Sequence, residues 1–175
     1  MLKNFIIVFI ILSLIWVYLS ACNKQESTQD IPAVSNFELN KYLGDWYEIA
    51  RLPHSFEKDM EYVKANYSLN PDGSVKVVNS GIKHGKQKSI YGIATFKGNK
   101  NMGNLEVSFF RPFWGLYKII YLSPDYETAI VTSGNKNYLW LLSRTPQITE
   151  SDKNIFVEKA SSWGFDTNKL IYPKQ

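Results

Sequence analysis

Between Trp46 and Arg144 apolar and polar residues alternate with a period of two, in one short segment after another, with turn signals between them. That spacing sends successive side chains to opposite faces of a strand. Trp46–Leu52 is the first segment, ended by Pro53, and Tyr62–Leu69 is the second. Asn70-Pro71-Asp72-Gly73 presets a turn with proline second and glycine fourth, so Ser74–Gly81 returns as a hairpin. Ser89–Phe96, Leu105–Phe109, Leu116–Leu122, Ala129–Ser133 and Tyr138–Arg144 follow. About eight strands on mostly short connections form the pattern of an up-and-down barrel.

After Pro146 the period lengthens to that of a helix. Thr149 with Asp152 three residues on resembles a capping box, and Gly164 provides a stop. Ile155, Phe156, Lys159, Ala160 and Trp163 fall on one stripe. Such a stripe needs an apolar surface. The outward side chains Ile130, Leu139 and Leu141 of the last strands offer one. The expected fold is therefore all-β: an eight-stranded antiparallel barrel with one C-terminal helix packed on its outside.

The N-terminus belongs to targeting rather than to the fold. Met1-Leu2-Lys3-Asn4 precedes an apolar run from Phe5 to Leu19, about 15 residues and short of the roughly 20 that span a bilayer as a helix. Leu19-Ser20-Ala21-Cys22 resembles a bacterial lipobox, whose cysteine is lipidated after cleavage. This gives residues 1–21 as a lipoprotein signal peptide, Cys22 as the lipid attachment, 22–35 as a flexible tether and 36–175 as the barrel domain. Asn23 after the cysteine resembles the pattern of lipoproteins sorted to the outer membrane. Cys22 is the only cysteine, so no intrachain disulfide forms, and its lipidation leaves no thiol for catalysis. The net charge of +4 rests on scattered lysines and does not make a nucleic-acid footprint.

Three motifs carry a family resemblance. Gly44-Asp45-Trp46 matches the Gly-x-Trp that opens the first lipocalin strand. Asp125-Tyr126 resembles the end of the second motif, although Pro124 replaces its threonine. Leu142-Ser143-Arg144-Thr145-Pro146 matches the third. The chain thus resembles the lipocalin family, most closely its bacterial outer-membrane branch, from about Asn36 to Tyr172. The resemblance implies a barrel closed at one end that holds a small lipophilic molecule. It also implies that Gly44, Trp46, Asp125, Tyr126 and Arg144 determine the fold, with Arg144 across the Trp46 indole as a cation–π contact.

Counting by twos from Trp46 gives the inward set. On the first two strands it contains Ala50, Val63, Ala65 and Tyr67; on the next two Val75, Val77, Asn79, Gly92, Ala94 and Phe96. The later strands add Leu105, Val107, Phe109, Tyr117, Ile119, Tyr121, Val131, Tyr138 and Trp140. Ala50, Ala65, Gly92 and Ala94 are expected to leave space among the large residues. Glu48 has the same parity and is the odd inward residue, either paired in a structural floor or limiting the depth of a fatty tail. The loops opposite Trp46 form the mouth. Lys83, His84, Lys86 and Lys88 put positive charge there. Phe110, Phe113 and Trp114 make an apolar tip that gates the mouth, touches the bilayer or forms a homodimer contact.

The expected function is binding of a fatty acid or lysophospholipid by a lipid-anchored protein of the outer membrane, on its periplasmic face, without metal or cofactor. Two other readings compete: a filled barrel that only binds partners, and a carrier of another hydrophobic ligand such as haem or a pigment. An enzyme is disfavoured. His54 and His84 are the only histidines, and the sequence contains no Gly-x-Ser-x-Gly elbow.

Overall fold

The alternating segments close into one antiparallel barrel with neighbours in sequence order. The computed structural model describes residues 26–175; the expected signal peptide and Cys22 lie outside this range. A short helix α1 (Leu39–Tyr42) leads into β1 (Gly44–Arg51), β2 (Met60–Leu69), β3 (Val75–Lys83) and β4 (Lys86–Phe96). Then come β5 (Asn104–Phe110), β6 (Phe113–Leu122), β7 (Thr128–Thr132) and β8 (Leu139–Ser143), which pairs back to β1. Closure removes the sheet edges.

Helix α2 (Glu150–Ser162) follows, capped by Thr149, whose hydroxyl oxygen accepts from the Asp152 N–H at 3.1 Å. It buries Phe156 and Ala160 on the outside of the barrel, in a cluster with Ile130, Leu139 and Leu141. The expected stripe is corrected at one end: Ile155 is exposed, and Phe165 beyond the helix completes the contact instead.

The ladder carries four register shifts, on β1, β2, β5 and β6, and those on β1 and β6 change which expected wall residues face inward. Glu48 faces Leu142 across the β1–β8 pair but Ala50 faces Leu141, so β1 carries one extra residue. On β6, Ile119 faces Val131 and Tyr121 faces Ile130, again one residue too many. An inserted residue flips every side chain after it.

The expected flexible tether is also corrected over its described part. Residues 26–35 lie as a strap along the outside of the barrel. Ser27 bridges to Asn135, Ser35 bridges to Met102, and Ile31 is buried in the cluster under α2. Lys118 drives its ammonium into the strap and donates to the carbonyls of Thr28 at 2.8 Å and Ile31 at 2.9 Å. Burial pulls the Lys118 pKa below its usual value. The strap is held largely through backbone groups, with Thr28, Ile31 and Val34 packed at irregular spacing, so it leaves no periodic signal.

Candidate functional site: the barrel cavity and its mouth

Trp46 and its partners seal one end. The indole is fully buried and donates its N–H to the Tyr42 carbonyl at 2.8 Å. The Arg144 guanidinium lies 4.0 Å from the indole centroid. It donates to the carbonyls of Asp45 at 2.9 Å and Lys41 at 2.6 Å, and more loosely to Tyr126. Gly44 is needed there for its backbone, whose φ of +97° lies in the left-handed region that favours glycine. Asp125 accepts from Ser123 Oγ within the turn after β6, and the Tyr126 hydroxyl accepts from the Glu38 N–H at 3.0 Å. All five motif residues thus belong to the sealed end or to the turn beside it.

Above this plug lies a cavity of about 170 Å³. Among the expected wall residues, Ala65, Tyr67, Val77, Asn79, Ala94, Val107, Phe109, Tyr117, Val131 and Trp140 line it, as do Val63, Val75 and Leu105. Its floor is a chain of hydroxyls in which Tyr117 meets Tyr42 at 2.7 Å and Tyr67 at 2.8 Å. Burial raises the pKa of all three phenols, so they stay neutral. Tyr42 was not foreseen, because it sits in the short helix before the first strand.

Six expected wall residues are corrected. Beyond the β1 bulge Ala50 points outward into the cluster under α2. Beyond the β6 bulge Tyr121 joins that same cluster, with the Lys159 ammonium 4.7 Å from its ring. Gly92 leaves no room for a ligand, because a Cβ there would come within 2.8 Å of the Phe109 ring. Its space is already filled. Phe96 and Ile119 pack in the core cluster beside the cavity rather than on its wall. Tyr138 lies before β8 and stacks 6.0 Å from Trp140 in the mouth.

The upper wall is polar in a way the alternation only half revealed. Glu48 is buried and paired with Arg51 Nη1. Arg51 Nη2 donates to the Glu57 carbonyl at 2.8 Å, and the Glu57 carboxylate accepts from Trp140 Nε1–H at 3.1 Å. His54 Nε2 lies 2.8 Å from Glu57 Oε2 but out of line for a hydrogen bond. Burial, with Glu57 nearby, pushes the Glu48 carboxyl up from 4.5 to about 8. Burial also acts to raise Glu57, but His54, Trp140 and Arg51 outweigh it and hold Glu57 below the ordinary value. One carboxyl of the pair therefore keeps its proton near neutral pH. Asn79 Oδ1, facing the same cavity, is buried without a partner among the described residues.

Glu57 and Phe56 come from the connection between β1 and β2, which folds over the mouth. Phe56 stacks on His54 with centroids 3.8 Å apart and reaches toward Tyr138 and Trp140. Neither residue had a strand-like context to mark it. The expected rim residues do not line the cavity. Lys86 and Lys88 are exposed at the start of β4, and Phe110, Phe113 and Trp114 are exposed where β5 turns into β6.

Residues 37–175 match the family model described as the lipocalin-like domain. The chain is 45% identical over 150 residues to "Outer membrane lipoprotein Blc" of Vibrio cholerae, covering 84% of this chain and 88% of that protein. It is 41% identical over 157 residues to the protein of the same name from Citrobacter freundii, covering 89% of each. Among solved structures, insecticyanin from Manduca sexta superposes with a TM-score of 0.71 at 20% identity, over 86% of this chain and 87% of that one. At that identity the superposition speaks for the fold alone.

Proposed function

Because this chain belongs to the lipocalin family, we propose that it is a lipid-anchored binding protein of the outer membrane for single-chain amphiphiles. Residues 1–21 are the signal peptide and Cys22 carries the lipid. The ligand is a fatty acid or lysophospholipid, which the protein stores or transports in the envelope. The names of the two bacterial relatives support the location, and the family favours binding and transport over catalysis.

One observation carries the choice of ligand: a narrow apolar cavity whose upper edge carries Glu48 and Glu57, both bound by Arg51 from behind the wall. Its 170 Å³ is below the roughly 300–1,000 Å³ of ordinary ligand pockets. A slender chain suits it better than a macrocycle such as haem. Each methylene taken from water contributes about 0.8 kcal/mol. The inner part of one tail fills the cavity, and the rest leaves past Phe56 and Trp140 with its head at the rim. With Glu48 protonated and the Glu57 carboxylate balanced by Arg51, the edge carries no net negative charge, so it admits the head of a fatty acid as well as that of a lysophospholipid.

Native mass spectrometry of the delipidated mature protein, titrated with both ligands, tests this reading. A one-to-one complex with a single-chain amphiphile, lost on filling the cavity with Ala94→Leu, is the expected result. Absence of uptake of either ligand by a folded protein overturns it.

A further inference from the structure

We propose that the open mouth of the barrel is its membrane-docking face, pressed against an anionic bilayer surface so that ligand passes between membrane and cavity without crossing water. The proposal rests on the reading of Cys22 as the lipid anchor.

The strap fixes which end the anchor holds. Glu26 accepts through its carbonyl from the Lys136 N–H at 2.8 Å, and Ser27 bridges to Asn135. Both contacts lie in the β7–β8 connection, at the mouth. From there the strap descends across Lys118. Val34 accepts from the Gly103 N–H at 2.9 Å, and the Phe37 N–H donates to the Asn101 carbonyl at 2.9 Å, both at the sealed end. The chain therefore enters the described structure at the mouth. Cys22 lies four positions before Glu26, a reach of at most about 14 Å. A strand as long as β6 covers roughly 33 Å, so this short leader tethers the mouth and leaves the sealed end far from the anchor.

The same end presents what a bilayer surface accepts. Phe110 is 70% exposed, Phe113 76% and Trp114 41%, at the tip between β5 and β6. Aromatic side chains are favoured at the membrane–water interface. Lys83, Lys86 and Lys88, on the neighbouring β3–β4 hairpin, form no salt bridge among the described residues. Unpaired lysines beside an apolar tip complement anionic headgroups. By contrast, the sealed end is closed by Trp46 and Arg144, and an amphiphile has no opening there.

The test uses the acylated protein in vesicles of phosphatidylethanolamine and phosphatidylglycerol in a roughly three-to-one ratio. Phe113→Cys at the mouth and, separately, Lys100→Cys at the sealed end each carry an environment-sensitive fluorophore. The label at position 113 is expected to shift to the blue and to become several-fold slower to quench by aqueous iodide. The label at position 100 should stay as accessible as in protein without vesicles. Both labels in water, or the label at position 100 shielded, overturns the proposal. Shielding of position 113 in the unacylated Cys22→Ser protein without vesicles assigns the tip to a homodimer and also overturns it. Flotation is scored separately: if unsubstituted protein fails to float with vesicles, the anchor reading itself has failed.

Discussion

The two ends of this barrel are built on opposite principles. At the sealed end the polar groups of the plug are matched, with Asn104 Oδ1 beside it the exception: the Trp46 N–H has a carbonyl, Arg144 has three, and the floor tyrosines satisfy one another. At the mouth Arg51 Nε and His54 Nδ1 are buried without partners among the described residues, and two carboxyls share a site with one guanidinium. Buried unsatisfied polar groups are costly, and native proteins keep few of them. The sealed end therefore concentrates stability. The mouth holds groups whose environment improves when the loop over it moves or a headgroup arrives.

The sharpest way to break this contrast is at Trp46. Trp46→Ala empties the most enclosed large side chain of the core and is expected to cost about 3–5 kcal/mol. Urea unfolding monitors it, and ligand affinity at low temperature should change far less than stability. A large affinity loss in a still-folded variant would dissolve the distinction between the ends. Arg144→Lys comes next, at about 2 kcal/mol. A lysine keeps the charge but cannot span the carbonyls of Lys41 and Asp45 while stacking on the indole.

At the mouth the expected signature is pH dependence. The folded state holds the Glu48 proton up to about pH 8, whereas the unfolded chain releases it near 4.5. Between those values the folded state binds more protons, so stability falls as pH rises, by up to about 1.4 kcal/mol per pH unit. Glu57, held low, gives the opposite slope, with stability falling as pH drops through its folded value. Urea midpoints at pH 5, 6.5 and 8 should decline for the natural protein and stay level for Glu48→Gln. An unchanged slope in the variant would mean that the proton resides elsewhere in the cluster.

The same division separates what could be read from the sequence. Apart from Tyr42, the sealed end was legible because its parts are sequence-fixed: Gly44 by its backbone conformation, Trp46 by parity, Arg144 by its place after the last strand. The strands and the flank helix were legible by period. The mouth was not. A bulge on β1 turns Ala50 outward and brings Arg51 beside Glu48, and one on β6 takes Tyr121 to the α2 side; nothing in an alternating pattern marks an added residue. Phe56 and Glu57 act from an aperiodic connection, and the strap is pinned through carbonyls that every residue possesses. Backbone-mediated contacts and loop residues carry no compositional trace.

Phe56 gives the smallest and most discriminating test. It is 59% exposed, so Phe56→Ala should change stability by no more than about 0.5 kcal/mol, as for most surface substitutions. Yet the ring covers the cavity edge and stacks on His54 above the Glu57 carboxylate. Removing it opens the path past Trp140 without touching the floor. Stopped-flow displacement should therefore report faster ligand release with little change in association, since affinity changes within one site fall mainly on the dissociation rate. If release is unchanged, the connection over the mouth is not a lid, and the ligand leaves by another gap in the wall. The candidate is the upper part of β1 and β2, where pairing stops at Tyr47 and Lys64 and Gln175 bridges the carbonyls of Glu48 and Val63 instead.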